Sequence, residues 1–424
     1  MSVPLPLHRR MPRSLYVHIP FCHRRCFYCD FPVVPLGDHA SGATSGSVNN
    51  YLQQLYCDLD AAPLGPPLST VYIGGGTPSL LSVAQISGLL DRVETKWGLA
   101  ADAELTLEID PASFDQAWLQ AVLQRGINRC SLGGQSFNDE ALKRLGRRHS
   151  AAQLRQCCAW LREAELAGLL CSWSLDLILN LPEQSAHNWQ EELSYALRER
   201  PPHLSIYDLV IEPGTVFEWR ERRGDLQLPD LDSAAERLEY THRRLASVGY
   251  GHYEISNWAL PGHSSRHNRV YWGGAAWWAL GLGATAGAGA ERLARPRTRD
   301  AYGQWLLQQP GQQVAAGIHL GSLPPLEDLL LVGLRRREGV NLNWLEASGA
   351  WCGDSPMEEA LREVMAPWLA QGLAELGRER LRLLAPQGFN LSNAVLRDLF
   401  AWLQRGNPAL EGFAEELPAR QQSA

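Results

Sequence analysis

Three cysteines near the N-terminus, Cys22, Cys26 and Cys29, carry the clearest chemistry in this sequence. They stand in the spacing C-x3-C-x2-C inside residues 16–31, YVHIPFCHRRCFYCDF. Three thiolates this close can wrap one loop around one metal centre, and they cannot all pair as disulfides because one is always left over. Zinc and an iron–sulfur cluster both accept cysteinate. A structural zinc site wants a fourth protein ligand, and the nearest candidates are His18 and His23. His23 follows Cys22 directly, an awkward position from which to chelate the same ion. A [4Fe–4S] cluster on three cysteines leaves one iron open, as catalytic metal sites do. The spacing favours iron–sulfur and leaves zinc open.

Two further features could serve a ligand at such a centre. The run Gly74-Gly75-Gly76-Thr77-Pro78 follows an apolar strand at 71–73, and glycine lets backbone approach a ligand amine closely. Seen alone, the same run also makes a tight strand-to-helix turn. Residues 104–110 alternate strictly, with Leu105, Leu107 and Ile109 on one face and Glu104, Thr106, Glu108 and Asp110 on the other. With helices over the apolar face, Glu108 points into a concave interior, where its carboxylate can accept from a hydroxyl or ammonium group. The alternative for Glu108 is a residue facing solvent.

The elements that must position these groups alternate in type. Strands are expected at 15–19, 71–73, 104–110, 127–132, 172–179 and 203–209, with helices at 51–59, 82–97, 115–125, 139–145, 151–166 and 186–198 between them. Ser82 and Gln85 form a capping box. Residues 38–50, DHASGATSGSVNN, read as a flexible insertion. Six β-α units in succession imply parallel strands and an α/β fold, a partial (β/α)6 barrel with its chemistry at the C-terminal strand ends. The division expected is a tail at 1–14, a core barrel at 15–230, a linking region at 231–322 and a small C-terminal domain at 323–424. The linking region holds a helix at 231–248, a short strand at 253–258 and a glycine-rich segment at 273–289. The last part is helical and winged-helix-like, with helices at 326–337, 357–371 and 392–404 around a hairpin at 374–384.

Composition narrows the setting. The chain of 424 residues is 45% hydrophobic and 20% charged, ordinary for a globular protein. Its net charge of −7 argues against nucleic acid as a partner, and the Arg335-Arg336-Arg337 run reads as a solvated helix end. Six of the nine cysteines, Cys57, Cys130, Cys157, Cys158, Cys171 and Cys352, are scattered through apolar contexts, as in a reducing compartment. Residues 1–14 lack an apolar h-region, so no signal peptide is expected. Residues 270–290 carry no charge and are long enough to span a bilayer, but are mostly Gly, Ala and Trp. A buried glycine-rich turn is expected there instead of a membrane span.

The cysteine stretch, with aromatic Tyr28 before the last cysteine, resembles the radical S-adenosylmethionine (SAM) superfamily. A narrower resemblance covers nearly the whole chain. YVHIPFC, GGGTPSLL, EIDP (108–111), GINRCSLGGQSF (126–137), HLSIYDLVIEPGT (203–215) and HNRVYW (267–272) are similar to the oxygen-independent coproporphyrinogen III oxidases and their relatives. Three features point to the heme-chaperone (HemW-type) branch instead of the oxidase proper. Phe31 stands where the oxidase carries a further cysteine, only some fifteen residues precede the first strand, and HNRVYW fits H-N-x-x-Y-W.

The resemblance implies that Cys22, Cys26 and Cys29 hold a [4Fe–4S] cluster whose open iron binds SAM. Tyr16, Tyr28, Gly75 and Glu108 then correspond to contacts of SAM, and Gly76, Thr77, Gln135, Arg147 and Asp176 to those of a second SAM. Two departures, Gly134 within 133–137 and Asn180 within 179–182, lie beside Gln135 and Asp176 and bear on that second site. His267 is implicated in heme binding, with Tyr271, Trp272, Trp277 and Trp278 as an aromatic surface and His252 and His263 as weaker candidates. A histidine beside aromatics also serves as a hydrogen-bonded structural residue, and that reading stays open. The function implied is a heme chaperone, with coproporphyrinogen III oxidation as the alternative. The partners implied are heme and apo-hemoproteins, membrane-associated ones included, with no nucleic acid and no membrane span. A homodimer is allowed, and the location is cytoplasmic, peripheral at the membrane face.

Overall fold

A computed structural model describes residues 11–37, 41–288, 291–308, 324–347, 349, 351 and 355–406. One sheet organises the first two-thirds of the chain. Its strands are β1 (Ser14–Ile19), β2 (Leu68–Gly75), β3 (Leu99–Ile109), β4 (Arg129–Gln135), β5 (Ser172–Leu179), β6 (His203–Asp208), β7 (Gly251–Glu254), β8 (Asn257–Ala259) and β9 (Trp278–Leu280). They lie in the order β9-β1-β2-β3-β4-β5-β6-β8-β7. Pairing is parallel from β9 to β6 and antiparallel for the β8–β7 hairpin.

The six expected strands are present in sequential order, and the alternation in β3 has the predicted consequence. Leu105, Leu107 and Ile109 are buried against the helices, in a core shared with Val17, Ile73, Leu132, Leu175 and Leu204. Covering helices run over Gly46–Ala61, Val83–Trp97, Gln116–Gln124, Asp139–Leu145, Ala151–Leu166 and Ala186–Glu199. Local chemistry starts them: Ser82 with Gln85 and Ser150 with Gln153 close reciprocal capping boxes.

Other expectations need correction. Residues 46–50 are not a flexible insertion but the first turn of the helix Gly46–Ala61, because the Ser45 side chain caps it by accepting from the Val48 N–H; residues 38–40 lie outside those described. The single strand expected at 253–258 is a hairpin of β7 and β8. The glycine-rich segment is not only a turn: β9 pairs with β1, and Thr285–Ala288 pairs with Glu291–Ala294. The linking region thus supplies three strands to the main sheet. HNRVYW falls on an unexpected helix, Arg266–Trp272. Cys130, Cys157 and Cys158 are buried as foreseen, whereas Cys57 and Cys171 are exposed, and Cys352 lies outside the described residues. Among the described residues no helix is long and apolar enough to cross a membrane.

A second core gathers Leu330, Leu361, Met365, Leu381, Phe389 and Leu396 from the C-terminal part. There the helices Leu326–Gly333, Met357–Ala370 and Ser392–Gly406 surround the hairpin Ala374–Leu376 and Arg380–Leu383, which Val340–Asn341 extends to three strands. This part covers the outer edge of the sheet. The Ile255 N–H donates to the Arg335 carbonyl (3.0 Å) and the Arg337 N–H to the Tyr253 carbonyl (3.1 Å).

Candidate cofactor site

Beyond β1 the chain enters the cysteine loop, which is closed by a short parallel pairing of Phe21–Cys22 with Val34–Pro35. Two elements pin its middle. The Phe27 N–H donates to the Leu145 carbonyl and the Phe217 N–H to the Phe27 carbonyl, each at 3.0 Å. Cys22, Cys26 and Cys29 are all partly buried, and none is in a disulfide. Burial pushes the Cys22 thiol up to about 12, against a hydrogen bond from Thr77, and burial also raises Cys29. Thiols held this way ionise when a metal group supplies the compensating positive charge.

The immediate surroundings supply donors. The Thr77 hydroxyl donates to Cys22 Sγ at 3.4 Å, and the Arg147 guanidinium to Cys26 Sγ at 3.6 Å. His18, a candidate fourth zinc ligand, has both ring nitrogens engaged, with the Tyr16 hydroxyl (2.9 Å) and the Pro32 carbonyl (3.1 Å). Among the described residues no three His, Cys, Asp or Glu side chains converge on a single ion. With both nitrogens engaged, His18 is not offered as the fourth ligand that a tetrahedral ion would need.

The glycine run lies between this loop and β3, and it is crowded on both sides. A Cβ on Gly76 would meet the Phe21 carbonyl oxygen at 2.7 Å and Cys22 Sγ at 3.0 Å. A Cβ on Gly74 would meet Glu108 Oε1 at 2.8 Å, and Gly75 has a φ of +116° that other residues rarely adopt. Glu108 faces the interior, as the alternation implied. It accepts from the Tyr72 hydroxyl (2.8 Å) and from the Gly75 N–H (2.9 Å). Burial raises its pKa to about 7, and those two hydrogen bonds hold it from going higher.

Tyr16 lies near this group, its ring 6.1 Å from that of Tyr72. Tyr28 packs toward Phe217, with ring centroids 6.5 Å apart. Arg147 donates to Asp110 and to the Gly133 carbonyl, both at 2.6 Å. Burial alone would raise Asp110, but the Arg147 guanidinium holds its carboxyl below the usual range. Asp176 accepts from Ser131 (2.8 Å) and Ser174 (3.1 Å). Gln135 ends β4 in the left-handed region, φ +66°, where the β4–β5 register shifts.

The two departures have local explanations. Leu154 and Leu175 fill the space a side chain at Gly134 would need. Asn180 tolerates its left-handed φ of +61° and ties Arg237 to Asp208 through its amide.

His267 sits at the opposite, N-terminal end of the strands. It is fully buried, with one ring nitrogen bonded to Thr70 Oγ1 and the other to the Tyr271 hydroxyl, both at 2.7 Å. Its ring stacks on Tyr72 with centroids 5.1 Å apart, and burial lowers its pKa to about 3. In this arrangement it offers no nitrogen to a metal. Glu104, at the start of the interior face of β3, accepts from the Arg266 and His267 N–H groups (3.0 Å each) and so fixes the start of their helix. His252 stacks on Trp258 at 4.0 Å, and His263 bonds Ser172 Oγ at 3.1 Å. Trp277 and Trp278 stand apart from each other, the first against Tyr271 and the second against Trp97.

The structure thus brings the cysteines, the glycine run, Glu108, Arg147 and Thr77 to one end of the sheet and leaves His267 at the other. Sequence reasoning missed Tyr72 and the role of Asp110. Both occupy the same alternating interior faces as Glu108, and that periodicity was the available signal.

Comparison with known proteins agrees with this geometry. Residues 16–196 match the radical SAM superfamily. The heme chaperone HemW of Synechocystis sp. is 39% identical over 93% of this chain and 98% of its own length. The heme chaperone HemW of Escherichia coli is 42% identical over 64% of this chain and 69% of its own. Among solved structures, E. coli coproporphyrinogen III oxidase (HemN) shares the fold, with a TM-score of 0.71 at 22% identity over 92% of this chain and 90% of that one. With its three-cysteine loop, glycine run and interior glutamate in place, the chain belongs to the heme chaperone HemW family of radical SAM proteins.

Proposed function

We propose that the protein binds heme and passes it to apo-hemoproteins, using a barrel that carries a [4Fe–4S] cluster and SAM. The observation that carries this reading is the 39% identity to a heme chaperone over nearly the full length of both chains. Cys22, Cys26 and Cys29 would hold the cluster, and Tyr16, Tyr28, Gly75 and Glu108 would serve SAM. When bound and reduced, the cluster supplies the electron that can cleave SAM to a carbon-centred radical. The chain's own contribution is to orient and to balance charge. Thr77 and Arg147 donate to the thiolates, and Tyr72 and the Gly75 N–H hold the Glu108 carboxylate in place.

We assign one SAM, not two. Of the positions matched to a second SAM, the two ionisable ones are satisfied internally, Arg147 by Asp110 and the Gly133 carbonyl and Asp176 by two serines. For His267 to ligate heme, its ring would have to give up Thr70 or Tyr271 at a cost of about 1–3 kcal/mol. We therefore give it a positioning role in its helix. Recipients at the cytoplasmic membrane face and a homodimer complete the proposal.

Anaerobic reconstitution followed by titration tests the reading. The expected outcome is about four irons per chain, lost in Cys29→Ser, a Soret shift on adding heme, and no protoporphyrinogen from coproporphyrinogen III with SAM and reductant. A reconstituted cluster with no Soret change on heme addition would sink it.

A further inference from the structure

A second concave site lies at the far end of the barrel from the cysteines. The helix Arg266–Trp272 closes the N-terminal mouth of the sheet, and the C-terminal part packs against its outer side. Between them is a cavity of about 380 Å³, within the usual range of small-molecule pockets. Its apolar wall includes Trp272 from the helix and Leu329, Trp344 and Leu345 from the C-terminal part.

Its charge is lopsided. Arg269, Arg336 and Arg380 line it, and among the described lining residues Glu338 is the one acidic side chain. Glu338 already accepts from Arg269 at 2.8 Å and lies 3.5 Å from Arg336, while Arg380 donates to the Glu338 backbone carbonyl at 3.1 Å. One carboxylate therefore faces three guanidiniums. Burial lowers Arg336, and Arg269 and Arg380 push it further down against the pull of Glu338, so the cavity would gain from an added anion. Planar guanidiniums suit carboxylates, and the two indoles suit a flat apolar ring. Among the described residues that line it there is no histidine, cysteine, methionine or tyrosine, the side chains that ligate heme iron.

We propose that this cavity holds the carboxylate edge of heme, recognising its two propionates through Arg269, Arg336 and Arg380 and leaving the iron unligated by the pocket. The proposal rests on the heme-chaperone reading and deepens it. It also gives that reading a physical means of release, since a ligand held by ion pairs and ring contacts can leave without breaking an iron–protein bond.

The test is titration of the reconstituted full-length protein with heme, metal-free protoporphyrin IX, mesoporphyrin and mesoporphyrin dimethyl ester, followed by Soret absorbance or fluorescence. Heme and protoporphyrin should bind with similar affinity. The diester should bind about tenfold or more weakly than its diacid, the size expected for losing one charged hydrogen bond. Arg336→Gln should weaken all the diacids by a similar factor with the cluster spectrum unchanged, and the exposed Arg380→Glu gives the same reading without disturbing the core. Equal binding of diester and diacid, unchanged affinity in both variants, or heme binding that vanishes when iron is absent would each overturn the pocket. A wild-type protein that binds no porphyrin at all overturns the chaperone reading, and the pocket with it.

Discussion

Glu108 is fully buried in the protein and yet meets two donors, so its ionised form is both penalised and supported. The penalty wins, and its folded pKa of about 7 stands above the ordinary 4.5. A carboxyl raised on folding contributes stability that is present below about 4.5 and is lost as pH rises through about 7. Glu108→Gln cannot titrate, so the stability gap between wild type and the variant should shrink across that window, at up to roughly 1.4 kcal/mol per pH unit. Urea midpoints at several pH values, without added ligand, check this; a constant gap would contradict it. Gly76 makes a steric prediction of a different kind. Gly76→Ala drives a methyl into the Phe21 carbonyl and Cys22 Sγ, and should cost about 1–3 kcal/mol while lowering the iron retained after reconstitution. The cysteines, the glycines and Glu108 were legible because their types and spacing are unusual. Tyr72 was not, since a tyrosine in an apolar strand looks like core until its hydroxyl is seen on Glu108.

At the scale of elements, the segment 278–295 shows why part of the fold could not be read. Strand β9 is only Trp278, Ala279 and Leu280, none of them β-branched, in a run rich in glycine and alanine that does not mark a strand. Long-range pairing makes it a strand: it lies beside β1, and buried Asp58 holds the chain that follows it. Asp58 accepts from Arg295 Nε (2.7 Å), the Tyr302 hydroxyl (2.9 Å) and the Gly281 N–H (2.9 Å). Asp58→Asn leaves a buried guanidinium uncompensated and should cost about 3–5 kcal/mol, read as a lowered urea midpoint. A loss under 1 kcal/mol would mean that solvent reaches this pair. The six parallel strands were legible for the opposite reason, because each has its own alternation and its own capped helix. The β7–β8 hairpin lacks a two-residue turn of the Asn-Gly type, so it read as one strand.

At the scale of the molecule, two cores meet along a sheet edge. Residues 335–337 bond to the β7 region, and Phe389 sets its ring edge-on to His252 at 4.9 Å, which in turn stacks on Trp258. A chain truncated after residue 323 would bare both the edge strand and these aromatics. It is expected to aggregate, measured by light scattering, where the full chain stays dispersed; a monodisperse truncated barrel would show that the C-terminal part is dispensable for solubility. The parallel pairing of β9 with β1 also has a consequence for how the protein is made. β1 leads straight into the cysteine loop, but its outer neighbour is Trp278–Leu280, far along the chain. At ~5–20 residues per second, that neighbour emerges from the ribosome tens of seconds after β1. The thiols therefore stay on a half-paired strand throughout most of synthesis, and the scaffold that steadies them is complete only after Arg295 has joined Asp58. A metal group bound by these cysteines would therefore meet its finished scaffold only after most of the chain has been translated.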